Sequence, residues 1–260
     1  MFKSARFAAA VCLTLWAAAS LAQAEPILQF SKHKQEYVDE RRRTVYFKTS
    51  YETASLKNAK EYPALNAAVR RDFNEVRKKH VASAVRDMGP DYKEQTRNWA
   101  KYNKSKMVCF VEEEASVCRA DDAVVSFSCA VTAFYGGPHH NTAILGYSFD
   151  TLSGGLLRLS DVVSDRRGLE KLVSAALKAE MEARDLEYTE ETETQFRKMF
   201  DDDASGKVSL SWTLDSDGLT LYFDPYLFAP YAYGRFDMTV NYAGHEAIFA
   251  EKYLPSREDH

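Results

Sequence analysis

Between Thr44 and Tyr51, Val45, Phe47, Thr49 and Tyr51 alternate with Lys48 and Ser50, the period of two expected of a half-buried strand. The period then lengthens. From Pro63, the residues Leu65, Val69, Phe73, Val76, Val81 and Val85 recur at roughly helical spacing. Arg70, Arg71, Arg77, Lys78 and Lys79 fill the other faces, which predicts an amphipathic helix with a solvated basic side. Met88-Gly89-Pro90 predicts its end, with a shorter helix over Asp91 to Tyr102. Strand patterns return from Lys106 to Ser148, the longest at Ala123 to Tyr135 and another at Ala143 to Phe149, joined by the tight connection Gly136 to Thr142. Thr151 to Gly155 reads as a turn into a short strand, Leu156 to Leu159. Leu169, Leu172, Val173, Ala176, Leu177 and Met181 form one stripe and predict a helix over Gly168 to Ala183, with a third, short helix at Thr192 to Phe200. In the last third, Leu210, Trp212 and Leu214 are answered by Leu219, Leu221 and Phe223 across the turn signal Asp217-Gly218. Phe236 to Tyr242 and Glu246 to Lys252 are the last expected strands. This order implies an α+β fold, a mainly antiparallel sheet with two main helices packed on it.

The chain opens differently. Lys3 and Arg6 precede an apolar run from Phe7, and Ala22-Gln23-Ala24 supplies small residues for cleavage, so residues 1–24 read as a secretory signal peptide. No later run approaches the roughly 18–20 apolar residues that span a bilayer. A periplasmic or secreted protein is expected, with residues 25–53 as a polar lead-in and first strand and 54–255 as one α+β domain. The formal charge of -4 moves to about -6 when the leader is removed. A mildly acidic chain is a poor match for nucleic acid and a suitable one for a basic protein.

An oxidising compartment favours pairing two of the three remaining cysteines. If Met107 to Val111 and Ser116 to Arg119 fold as a hairpin about Glu113 and Glu114, Cys109 lies opposite Cys118. A Cys109–Cys118 disulfide is therefore expected, contributing about 2–3 kcal/mol. Cys129 alternates with Phe127 and Val131 and is expected as a buried free thiol.

Leu221 to Gly234 is dense in aromatics yet broken by Pro225, Pro230 and Gly234. Such a segment follows a bent path that aims Tyr226, Phe228, Tyr231 and Tyr233 in different directions. Tyrosines on a rigid loop suit recognition, and the same rings could equally cap the end of a sheet. Other chemistry is sparse. His139 and His140 fall short of the three or four ligands zinc takes. The run from Asp201 through Gly206 imitates the start of a calcium loop, but Trp212 stands where the bidentate glutamate belongs. No nucleophile elbow, phosphate loop or H-E-x-x-H motif is present, and no cofactor is implied. Asp and Glu are abundant, and their pairing in space leaves no trace in sequence.

Two stretches resemble the RsiV-like extracellular domain, found in lysozyme-sensing anti-sigma factors and appended to some peptidoglycan deacetylases. One is Ala133-Phe-Tyr-Gly-Gly-Pro-His-His-Asn-Thr142, followed by Tyr147-Ser-Phe-Asp-Thr-Leu-Ser-Gly154 and Leu159-Ser-Asp-Val162. The other is Leu221 to Gly234, similar to the family's aromatic "A-P-Y-A-x-G" segment, and Tyr62-Pro-Ala-Leu-Asn66 looks like the piece that precedes them. The resemblance spans Ala54 to Tyr242. It implies an α+β fold and, in the sensor members, lysozyme binding. No anti-sigma segment or deacetylase domain accompanies it here. The resulting expectation is an exported binding module for a lysozyme-like protein or a peptidoglycan fragment. Tyr226, Phe228, Tyr231, Tyr233, His139 and Asn141 are its contacts, Tyr231 and Gly234 serving more to hold the loop's shape. The rival expectation is a peptidoglycan- or glycan-directed hydrolase using an unidentified carboxylate pair.

Overall fold

The computed structural model describes residues 24–39, 43–102 and 108–255; the expected signal peptide, apart from its last residue Ala24, lies outside them. Among these residues the chain forms a five-stranded sheet in sequence order, β1 (Leu28–Asp39), β2 (Thr44–Leu56), β3 (Cys109–Ala120), β4 (Val124–Phe134) and β5 (Asn141–Asp150). A three-stranded sheet follows, β6 (Ser211–Leu214), β7 (Gly218–Phe223) and β8 (Phe236–Asn241). All strand pairs are antiparallel except β2 with β3. The α+β architecture matches the sequence pattern, and no described helix is long and apolar enough to cross a membrane.

The two faces of β4 and β5 explain the layering. Phe127, Cys129, Tyr147 and Phe149 alternate onto one face. There Phe73 meets Phe127 and Tyr147 edge-on, with ring centroids 5.0 Å apart in both pairs. Phe73 comes from a continuous helical run of α1 (Pro63–Ala68), a π turn (Val69–Asn74) and α2 (Glu75–Tyr102). The π turn brings consecutive residues Phe73 and Asn74 into the interior. Asn74 then bonds both backbone groups of Ala54 on β2, at 2.7 and 2.8 Å. The opposite face of β4 and β5 carries small residues, Ser126, Ser128, Gly146 and Ser148. Strand β6 seats its edge there: Leu214 N donates to Ser126 Oγ, and Gly146 N donates to Ser211 Oγ at 2.8 Å. The far side of the three-stranded sheet is covered by α4 (Arg166–Ala183) and α5 (Glu190–Ala204). Leu169, Val173, Leu177, Met181, Phe196 and Phe200 pack there against Leu219, Leu221, Phe223 and Phe236. The short α3 (Leu159–Val162) leads into this layer.

Several expectations change. The polar lead-in is a strand: β1 is amphipathic only weakly, because it is an edge paired with β2 and its residues face largely outward. Met88-Gly89-Pro90 lies within α2 and does not end it. Leu156 makes a single bridge to Phe149. Glu246 to Lys252 forms two 3-10 turns, Glu246–Ile248 and Glu251–Tyr253, not a strand. The disulfide is also corrected. Residues 109–120 are one continuous strand, so Cys109 and Cys118 sit nine positions apart along it, about 30 Å at strand rise. Both are free, and a bulge after Val117 sets Cys118 out of the ladder. Cys129 is a buried free thiol, and burial pushes it up to about 12, leaving it inert at neutral pH.

The 3-10 turns serve a closing function. Asp150, at the end of β5, accepts from Ser153 N and Oγ, from Tyr253 OH at 2.9 Å and from Lys252 Nζ. Burial alone would raise this carboxyl, but those donors hold it well below the usual carboxylate range. A lowered folded value contributes stability above the unfolded value near 3.8, which is lost as pH falls through the folded one. Asp150→Asn is expected to cost about 1–2 kcal/mol at neutral pH and to flatten the acid limb of the stability curve. Urea unfolding at neutral pH and at about pH 3 checks both, and an unchanged acid limb would count against the assignment.

Candidate functional site

The loop after β7 is built from inside outward. Asp224 accepts from Ile144 N on β5 at 3.2 Å, and burial raises its carboxyl against the pull of that bond and of Arg235. Leu227 N then donates to Asp224 O, closing a turn with Pro225 and Tyr226 at its centre. A turn with proline second and positive φ third has the type II form, and that third place normally goes to glycine or asparagine. Here it is Tyr226, at φ 73°. Holding a tyrosine there costs on the order of 1–2 kcal/mol, and the same turn leaves the residue 59% exposed.

The next residues turn inward. Leu227 and Phe228 pack against the core, and Phe228 meets Phe223 edge-on at 5.2 Å with Phe236 and Phe196 nearby. Phe228, one of the expected contacts, is partly buried here and anchors the loop on the core. Tyr231–Tyr233 forms a 3-10 turn that ends on Gly234 at φ 74°. Arg184, at the end of α4, donates to Tyr233 O and Arg235 O at 2.8 and 3.1 Å and lies over the Phe236 ring. The loop is clamped from both sides.

Across from it, the β4–β5 connection folds through Gly136 and Gly137, both at positive φ. This brings His139 flat onto Tyr231, with centroids 3.6 Å apart and planes 10° from parallel. His139 Nε2 lies 2.9 Å from the Tyr226 hydroxyl, and its Nδ1 lies 2.9 Å from His140 O. The Tyr226 and Tyr231 rings are 5.6 Å apart. Three of the six expected contacts, His139, Tyr226 and Tyr231, therefore form one surface platform. Tyr233 is exposed at the far end of the 3-10 turn, and Asn141 is exposed at the start of β5. Neither has a described ring contact or side-chain bond to the platform. Sequence reasoning placed the tyrosines but missed the Tyr226 backbone; Pro225 in front of it was the available signal for a turn.

A second cluster lies beneath α2 and was not expected at all. Strand β2 pairs with β3 only over Phe47–Ser50. Where the two part, Glu113 is fully buried with its Oε1 2.9 Å from His80 Nδ1 and 3.5 Å from Arg77 Nη1. Arg77 Nε and Nη1 and Glu113 Oε2 have no hydrogen-bond partner in the described structure. Burial raises the Glu113 carboxyl, against the opposing pull of Arg77 and His80. The basic run of the helix is therefore not wholly a solvated face.

Residues 160–243, from α3 to just past β8, match a family model described as a protein of unknown function, DUF3298. No curated protein matches the chain. Among solved structures, it is similar to a DUF3298 family protein from Pseudomonas aeruginosa PAO1, at 17% identity and TM-score 0.58, covering 90% of this chain and 99% of that one. It is also similar to a DUF3298 family member from Bacteroides fragilis NCTC 9343, at 17% identity and TM-score 0.55, covering 87% and 95%. At these identities the likeness is one of fold.

Proposed function

We propose that this chain is an exported binding module of the periplasm or the cell exterior, and that it grips a lysozyme-type muramidase through Tyr226, His139 and Tyr231. The observation that carries this reading is the platform itself. A protein that spends conformational energy to hold a tyrosine at positive φ, then leaves it exposed and tilted beside a stacked His139–Tyr231 pair, is presenting a surface. Supporting it are the resemblance of the Gly136 to Thr142 and Leu221 to Gly234 segments to the RsiV-like domain and the chain's acidic charge of -4, which suits a basic partner.

Calorimetric titration of residues 25–260 into hen egg-white lysozyme is expected to give saturable heat below tens of micromolar, with muramidase activity followed alongside to separate inhibition from binding. Tyr231→Ala removes the ring on which His139 rests and is expected to weaken binding by about 2 kcal/mol, roughly thirtyfold. Absence of heat with lysozyme, but saturation by a muropeptide, would transfer the site to peptidoglycan fragments.

A further inference from the structure

His139 commits both ring nitrogens, and the commitments fix the direction of every hydrogen on the platform. A backbone carbonyl only accepts, so the Nδ1 that faces His140 O carries the hydrogen. In the neutral ring Nε2 is then a bare acceptor. The Tyr226 hydroxyl that faces it must donate. Its single hydrogen is turned inward, and the exposed Tyr226 oxygen presents only lone pairs to solvent. Beside it stand the π faces of Tyr226 and Tyr231. The outward chemistry of Tyr226 and His139 is thus an acceptor beside aromatic faces, with no outward donor from these two groups, while the Tyr231 hydroxyl keeps both roles.

We infer that the platform receives an arginine side chain of the partner. This rests on the binding reading above and names the chemistry of the contact. A guanidinium has five donors and no acceptor, is planar, and is weakly enough hydrated to lie on an aromatic face while giving an N–H to a neighbouring oxygen. A lysine ammonium is a strongly hydrated point charge and lacks the plane. A sugar hydroxyl carries no charge for the aromatic faces to attract. The net charge of -4 favours a cation generally.

The test uses the 15N-labelled mature chain. Long-range nitrogen–proton correlation reads the His139 tautomer, and Nα-acetyl-arginine amide, Nα-acetyl-lysine amide and N-acetylglucosamine are titrated separately while the His139, Tyr226 and Tyr231 amides are followed. At about pH 7.5, Nε2 is expected unprotonated, with saturable shifts from the arginine probe at least about fivefold tighter than from lysine. Tyr226→Phe, which keeps the ring and removes the oxygen, is expected to abolish the arginine preference at unchanged melting temperature. A hydrogen on Nε2 at neutral pH, tighter saturation by N-acetylglucosamine, or arginine binding indifferent to Tyr226→Phe would each overturn the inference. Lysozyme calorimetry keeps the two readings apart. Arginine binding without lysozyme heat sinks the muramidase reading alone, and lysozyme heat indifferent to Tyr226→Phe sinks the arginine contact alone.

Discussion

Glu113→Ala is expected to destabilise the protein by about 3–5 kcal/mol, the largest effect of any substitution considered. The reason is the group left behind. Arg77, its side chain 7% exposed, has Glu113 as its described ion-pair partner, so truncation strands a buried guanidinium. Arg77→Ala is expected to cost a similar amount by stranding the carboxylate. The double variant Arg77→Met with Glu113→Leu discriminates this account from lost packing. Because two desolvated charges roughly cancel their own attraction, the pair replaced together is expected within about 1 kcal/mol of the parent, or above it. The orphaned Arg77 and Glu113 atoms strengthen that expectation, since the pair is incompletely satisfied to begin with. pH adds a separate check. A raised folded value means that the neutral form of Glu113 contributes stability below the unfolded value near 4.5, lost as pH rises through the folded one. Glu113→Gln should remove that component. Urea unfolding of the four variants decides the matter, and a double variant as unstable as the singles would defeat it.

The sequence was most legible where one periodicity met one environment. Leu169, Val173, Leu177 and Met181 pack on one sheet and read as a helix, and helix α4 runs over Arg166–Ala183. Strands β4 to β8 were legible for the same reason, each having one face in a core. Legibility failed where burial came from tertiary context. Strand β1 is an edge, and its lysines, Gln29 and Glu36 describe solvent rather than a core. Arg77 read as part of a solvated basic face because nothing local announces that β2 and β3 part beneath it. The disulfide expectation failed because it assumed a turn at Glu113 and Glu114, and only the pairing of 109–120 with β4 along its length shows that the chain runs straight through them. At the platform, the sequence nominated Tyr226, Tyr231 and His139, while the stack and bond that join His139 to tyrosines 87 and 92 residues away came only from the fold.

Gly146→Ala is expected to cost about 3 kcal/mol, although it adds one methyl to a partly exposed strand. A Cβ built at Gly146 would lie 1.8 Å from Trp212 O and 2.8 Å from Trp212 N. Both are backbone atoms of β6, so no rotamer change relieves the overlap and the two sheets must separate. That separation breaks a specific set of bonds. Gly146 N and Ile144 O share the Ser211 hydroxyl at 2.8 and 2.7 Å, and Leu214 N rests on Ser126 Oγ at 2.9 Å. Each sheet thus supplies the other with side-chain partners for backbone groups at the junction. Ser211→Ala removes the shared hydroxyl without adding volume and is expected to cost about 1–2 kcal/mol, so the excess in Gly146→Ala measures the steric part. The junction also sets the platform, because Ile144 N holds Asp224 at the root of the tyrosine loop while β5 begins where His139 ends. Pushing β6 from β5 should therefore loosen the His139–Tyr231 stack along with the fold. Gly146→Ala is expected to lower the urea midpoint and to shift the His139 and Tyr231 resonances in folded protein together. A stability loss with those resonances unmoved would mean that the platform is held by its own loop contacts and Arg184, independently of the sheet junction.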